Sequence, residues 1–256
     1  MKTDRTVALV TGGAKRIGKA IVEHLADQGF AVAIHCNRSK EEGEALLAGI
    51  EARGGAGCVV AADLTEPKAV RELIPQVQAA LGTVKLLVNN ASVFEEDGIG
   101  KLADDRVWDR HFAVHSKAPV LLADAFSAKL RDNGEDGLIV NIIDQRVWKL
   151  TPRFLSYTLS KAALWTATQT LAQALAPQIR VNAIGPGPTM QSDRQDRDDF
   201  AHQVNSLLLR RGAELSEFGR TICYLWENRS ITGQMIALDG GQHLAWETPD
   251  SMGMAE

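Results

Sequence analysis

Tyr157 and Lys161 stand four residues apart in SYTLSKAALWTATQTLAQALA, so on a helix they share one face about one turn apart. An ammonium near a phenol favours the phenolate. At an effective dielectric near 20, a charge pair about 4 Å apart is worth about 4 kcal/mol, or about three pKa units before desolvation subtracts from it. A tyrosine so tuned serves as a general acid or base near neutral pH. The helix itself is supported by Ala162, Ala163, Leu164, Ala167, Leu171 and Leu175, with Pro177 just past its end. Upstream, in NIIDQRVWKL, an acid at Asp144 follows an apolar run and has no evident partner in sequence.

Such groups need a scaffold. Short runs rich in Val, Ile and Leu recur at TVALV (6–10), AVAIH (31–35), GCVVA (57–61), VKLLV (84–88), LIVNII (138–143), IRVNAI (179–184) and MIAL (235–238). Their apolar residues are continuous rather than alternating, as in strands covered on both faces. Helical patterns lie between them. Ile17, Ala20, Ile21 and Leu25 fall on one face before Gly29, and a second helix opens around Thr65, Glu66 and Pro67 and halts at Gly82. The alternation predicts an α/β fold, a doubly wound parallel sheet of seven strands with helices on both faces and ligands outside the strands' carboxyl ends. With 256 residues and no linker, repeat or low-complexity tract, the chain reads as a single domain over 1–256.

Between the first strand and first helix lies TGGAKRIG. Gly12 permits a tight turn, Gly18 permits close packing of helix on strand, and the helix start, with Lys15, Arg16 and Ile17, offers N–H groups to a pyrophosphate. The second strand ends IHCNRS, with no acid before Glu41 to accept ribose hydroxyls. Arg38 and Ser39 supply donors there, and Arg16 approaches from the first turn, which points to the 2′-phosphate of NADP(H). AADL places Asp63 and Leu64 at the third strand end, suited to an adenine amino group. VNNAS places Asn90, Ala91 and Ser92 at the fourth, beside the cofactor's middle.

Composition limits the alternatives. A net charge of −4 makes no general field for nucleic acid or an anionic membrane, so neither is expected as a partner. No run approaches about 18 apolar residues, and the N-terminus lacks a signal-peptide pattern, so the expected location is cytoplasmic. Cys36, Cys58 and Cys223 are scattered and read as reduced packing residues, with no metal site. The charged stretch TMQSDRQDRDDFAHQ, following GPGP, reads as a mobile flap over the site at about 189–210, or else as a solvated excursion.

TGGAKRIG, Asn89–Ala91, Tyr157 with Lys161, IRVNAIGPG and ITGQMIALDGG occur in the order and spacing of the short-chain dehydrogenase/reductase family, which the sequence resembles over essentially its whole length. The resemblance implies a Rossmann-type domain, often tetrameric. Tyr157 would be the proton donor, Lys161 would bind the nicotinamide ribose and tune the tyrosine, and Pro186 and Gly187 would lie against the nicotinamide. Three positions depart from the family pattern: Arg16 replaces a glycine, Asp144 replaces the substrate-orienting serine, and His115 replaces a helical asparagine. Arg16 and Asp144, with HCNRS and ASVF, look like the pteridine reductase branch; the histidine and the DGG-x-HL ending are similar to bacterial dihydromonapterin reductases. Within that resemblance Asp144, Tyr157 and Lys161 form the catalytic set, while Ser92 and Phe94 contribute to a pterin site. A carboxylate beside Tyr157 opposes phenolate formation and keeps the tyrosine a proton donor.

The expectation is therefore an NADPH-dependent reductase of a pterin-type small molecule, Tyr157 giving the proton, in a homotetramer. A carbonyl reductase of a ketone, sugar or oxoacyl substrate is the alternative, and a non-catalytic NADP-binding sensor a remote one. His115 either takes part in proton transfer or only keeps a water or main-chain group in place.

Overall fold

The computed structural model describes residues 4–102, 105–191 and 196–246. The apolar runs become strands β1 (Val7–Val10), β2 (Ala31–Cys36), β3 (Ala56–Ala61), β4 (Val84–Asn89), β5 (Gly137–Ile142), β6 (Ile179–Pro186) and β7 (Met235–Leu238). They form one parallel sheet in the order β3-β2-β1-β4-β5-β6-β7. Because β1 pairs with both β2 and β4, the winding reverses beside it, and the strands' carboxyl ends open a crevice there.

The α-helices among the described residues are α1 (Arg16–Asp27), α2 (Lys40–Ala52), α3 (Pro67–Ala80), α4 (Asp105–Phe112), α5 (Ala118–Asn133), α6 (Leu155–Leu175), α7 (Arg197–Asn205) and α8 (Leu215–Glu227). Alternate strand residues feed two cores, since successive side chains point to opposite faces. Leu9, Leu87, Ile139 and Val181 meet Leu73 of α3, Phe126 of α5 and Ala172 of α6. Ala8, Val32, Leu86 and Val140 meet Leu25 of α1, Leu46 of α2 and Phe218 of α8. Each face is buried, which explains the continuous apolar runs.

Two polar devices pin the elements. In the core, Asn89 Nδ2 donates to Asn141 Oδ1 at 2.8 Å and Asn141 Nδ2 to Thr168 Oγ1 at 2.9 Å, tying the ends of β4 and β5 to α6. On the opposite face, the Arg180 guanidinium reaches from β6 to the carbonyls of Leu225, Trp226, Asn228 and Ile231 at 2.7–3.2 Å, closing the C-terminal end of α8.

The charged segment expected as a flap contains a helix, α7, capped by Asp196, whose carboxylate accepts the Asp199 N–H at 2.7 Å. It buries none of its own residues, so no apolar face marked it in the sequence; residues 192–195 of that segment lie outside the described residues. Among the described residues no helix is long and apolar enough to cross a membrane.

Candidate active site

Above the reversal point lies a cleft of about 730 Å³, lined by the loop after β1, the ends of β2 to β6, and α6. Its floor begins at Gly12, whose φ of 61° is left-handed and whose missing side chain would touch Ala91 Cα at 2.9 Å. At Gly18 an added Cβ would stand 2.1 Å from the Gly12 carbonyl oxygen, so only glycine lets α1 sit this close to the loop. The helix begins with no acidic residue in its first turn and no side chain capping it, leaving its first N–H groups for a ligand. Arg16 occupies φ 52°, the reason glycine is natural at this position, and its guanidinium donates to Gln191 O at 3.3 Å.

Two side chains that sequence reasoning missed hold this loop. Thr11 Oγ1 accepts the N–H groups of Asn90 and Ala91 at 2.9 and 3.0 Å. His35 Nδ1 accepts the Gly12 N–H at 3.1 Å, so its proton sits on Nε2 and is donated to Ala62 O at 3.1 Å. Burial pulls His35 down to about 4, so it is neutral at physiological pH.

The remaining cofactor candidates divide. Arg38 and Ser39 line the cleft rim; Arg38 has no ion-pair partner among the described residues, and the Ser39 hydroxyl does not cap α2 although it stands at its N-cap. Ile17, Leu64, Ser92, Pro186 and Gly187 also line the cleft. Lys15 lines the cleft too, but its ammonium is paired with Glu42 at 2.6 Å. Asn90 spends its amide N–H groups on the carbonyls of Thr11 and Gly12, so its side chain shapes the loop. Asp63 accepts both N–H and O–H of Thr65, and those bonds hold its carboxyl below the ordinary range.

The chemical end gathers Asp144, Tyr157 and Lys161. Asp144 follows β5 and opens a short 3₁₀ turn: Oδ1 accepts the Arg146 N–H at 2.9 Å, while Oδ2 accepts the Tyr157 hydroxyl at 2.9 Å. The acid is thus both a strand-end cap and the phenol's partner. Tyr157 and Lys161 share a face of α6, both buried. Lys161 Nζ turns to Ile142 O at 2.9 Å and lies 5.8 Å from the phenol ring centre.

This geometry corrects one expectation. The lysine alone would bring the phenol toward neutrality; instead burial, then the facing Asp144, push Tyr157 well above its ordinary value. Burial lowers Lys161 to about 8, with Asp144 opposing the shift. Burial also raises the Asp144 carboxyl, and Arg146 is the main opposing cause. That guanidinium, unmarked in the sequence, sits over Phe94, Phe154 and Tyr157 at 5.2, 5.3 and 5.8 Å. Its buried Nη1 has no hydrogen-bond partner among the described residues.

Phe94 faces the cleft, with its edge-on contact to Tyr157 at 4.7 Å and its stacked contact to Phe154 at 4.2 Å. Phe154 does not line the cleft, so it backs Phe94 from behind. His115 lies in a π-helical turn (Ala113–Lys117) between α4 and α5, where Nε2 meets the Val93 N–H at 3.1 Å and Ser92 Oγ at 3.0 Å. Burial and the nearby Lys161 hold it well below the ordinary histidine range. The ring is therefore neutral, and it holds the Val93 main-chain N–H in place.

Comparisons with known proteins give the family. The short chain dehydrogenase family model covers residues 6–200. A crystal structure of FolM alternative dihydrofolate reductase 1 from Brucella canis, complexed with NADP, is 65% identical with a TM-score of 0.92, covering 96% of each chain. Dihydromonapterin reductase of Escherichia coli strain CFT073 is 28% identical over 244 residues, 95% of this chain and 99% of the relative. A 3-oxoacyl-[acyl-carrier-protein] reductase of Staphylococcus epidermidis is 29% identical over 243 residues, 93% of this chain and 98% of the relative. With the doubly wound sheet, the glycine loop and the Tyr157–Lys161 pair on one helix, this chain belongs to the short-chain dehydrogenase family.

Proposed function

We propose that this protein is an NADPH-dependent reductase of pterin-type substrates, with Asp144, Tyr157 and Lys161 as its catalytic residues. The observation that carries the reading is the 2.9 Å contact between Asp144 and the Tyr157 hydroxyl beneath the cleft-facing ring of Phe94. A flat heterocycle stacks on that ring, and the carboxylate is placed to engage its amino and ring nitrogens, groups that a ketone lacks. The likeness to the Brucella FolM structure and to dihydromonapterin reductase supports the same substrate class.

The residues present fit NADP(H). The uncapped start of α1 above Gly12 and Gly18 suits the pyrophosphate, Arg38 and Ser39 with Arg16 suit the 2′-phosphate, and Lys161 with Pro186 and Gly187 suit the nicotinamide end. NADPH, when bound, supplies the hydride. The protein's part is to hold the substrate C=N bond between Phe94 and the nicotinamide and to deliver a proton from Tyr157 Oη. Asp144 keeps that proton on the phenol until it is needed, and Lys161 and Arg146 offset the phenolate charge that forms. We read the whole chain, 1–256, as one such domain, acting in the cytoplasm as a homotetramer, with the described residues 196–210 of the charged segment over the site. Val120 on α5, Leu159 on α6 and Tyr224 on α8, each at least 40% exposed, offer apolar surface for subunit contact.

The test follows NADPH oxidation with 7,8-dihydropteridines, dihydrofolate, simple ketones and an oxoacyl thioester. Turnover of the pterins is expected. Turnover of ketones or the thioester alone would replace this reading with the carbonyl reductase one, which the likeness to the oxoacyl reductase favours.

A further inference from the structure

Beside the ring contacts of Phe94 with Phe154 and Tyr157, two buried histidines stand between the loop after β4 and the helix that carries Tyr157. His111 and His115 are one turn apart on the helical run from α4 into the π turn, with ring centres 5.5 Å apart and nearly parallel planes. Both are buried, at 0% and 1% exposure. On one side they meet the loop: the Val93 N–H points to His115 Nε2 at 3.1 Å and the Glu95 N–H to His111 Nε2 at 3.2 Å. On the other they meet α6: His115 Nδ1 lies 2.9 Å from Ser160 Oγ, and His111 Nδ1 lies 2.6 Å from Ser156 Oγ.

These contacts determine where the protons are. A backbone N–H can only donate, so both Nε2 atoms accept, and each ring carries its proton on Nδ1. Ser160 agrees independently, because its own hydroxyl proton goes to Tyr157 O at 2.8 Å and its oxygen is left to accept. The register also fits: residues two apart on an extended chain advance about 6.6 Å, close to the about 6 Å of four residues on a helix. Val93 and Glu95 therefore match His115 and His111, which in turn match Ser160 and Ser156. Two residues on, Asp97 completes the series with its carboxylate accepting the Ser156 N–H at 3.1 and 3.2 Å. The histidine rings also meet Tyr157 edge-on, at 5.8 and 5.3 Å.

We propose that His111 and His115 are a pair of positioning residues, neutral and protonated on Nδ1, that pin the Ser92–Asp97 wall to the tyrosine helix and so fix the distance between Phe94 and the Tyr157 hydroxyl. The inference deepens the pterin reading and rests on it for the substrate, since a ring stacked on Phe94 reaches the phenol only if that distance holds. It assigns the histidines no proton transfer.

The pair is tested in two ways on the full chain. Nitrogen-15 NMR of histidine-labelled protein at neutral pH, with resonances identified by loss in His111→Leu and His115→Leu, is expected to show both rings protonated at Nδ1 and bare at Nε2. An imidazolium, or a proton on Nε2, at either ring overturns the proposal. In steady-state kinetics with a 7,8-dihydropteridine, His115→Leu is expected to raise KM about tenfold with a smaller change in kcat and NADPH Kd unchanged. His115→Gln, whose side-chain oxygen can still accept the Val93 N–H, is expected to recover most of that loss. Should His115→Leu fail to fold, Ser160→Ala removes only the acceptor on α6 and carries the same comparison. A fall in Tm with KM unmoved would make the pair mere structural support and overturn the proposal. Absence of any dihydropteridine turnover by the unaltered protein would instead sink the pterin reading, and the NMR result would still decide the protonation state.

Discussion

Asp144 raises the pKa of both groups it faces, the Tyr157 phenol and the Lys161 ammonium, because a carboxylate disfavours the anion of one and favours the cation of the other. The sign for Asp144→Asn follows directly. Removing the charge lowers both, so any loss of activity on the alkaline side begins at lower pH in the variant. In the unaltered protein Lys161 gives up its proton near about 8, and kcat/KM, which reports the free enzyme, is expected to fall above that pH. A pH profile of kcat/KM for the two proteins checks this, and an alkaline limb displaced upward in Asp144→Asn would contradict it. The same chemistry explains why a serine and an aspartate are not equivalent beside this tyrosine: the serine offers a neutral bond, the carboxylate also holds the proton in place.

The elements owe their placement to a few polar ties across apolar cores. Arg180 is the plainest, one planar guanidinium gathering four carbonyls at and just after the end of α8. Arg180→Ala is expected to destabilise the fold by about 2 kcal/mol, and Arg180→Lys to recover only part, since an ammonium cannot span that fork. Urea unfolding measures both, and equal recovery by lysine would refute the geometric argument. At the cofactor end the packing of α1 rests on the absence of a side chain: Gly18→Ala would drive a methyl group to 2.1 Å from the Gly12 carbonyl oxygen. The loop would have to open, and NADPH affinity is expected to fall by more than tenfold while the sheet persists, as fluorescence titration and circular dichroism would show.

For the whole molecule, the pH dependence of stability carries a His35 contribution. Its folded value, about 4, is depressed from the ordinary 6.5, so the unfolded chain binds the proton first. That stability is fully present above pH 6.5 and is lost as pH falls toward 4, about 3 kcal/mol in all. His35→Asn keeps an acceptor for the Gly12 N–H but does not titrate, and the difference between the two unfolding curves over that window isolates the term. The seven strands were legible in the sequence because each is buried on both faces, and Tyr157 and Lys161 because helical spacing alone pairs them. The helix α7 was not, since it buries nothing; nor were Thr11, Asp97 or His111, whose partners lie 16 to 80 residues away and meet only when the sheet is wound, nor Arg146, which meets Phe94 only across the cleft. His111 left one signal, its one-turn spacing from His115.

Arg16 stands where a left-handed backbone would suit glycine. An arginine held there costs about 1 kcal/mol, but a glycine loses comparable freedom when the chain folds, so exchanging one for the other leaves the net stability almost level. The fold is therefore nearly indifferent at this position, since among the described residues the side chain makes only an exposed 3.3 Å bond to Gln191 O, and the proposed cofactor contact gives the arginine its use. Cofactor preference is thus free to drift here without a stability penalty to hold it back: Arg16→Gly should shift Tm by less than about 2 °C while weakening NADPH more than NADH.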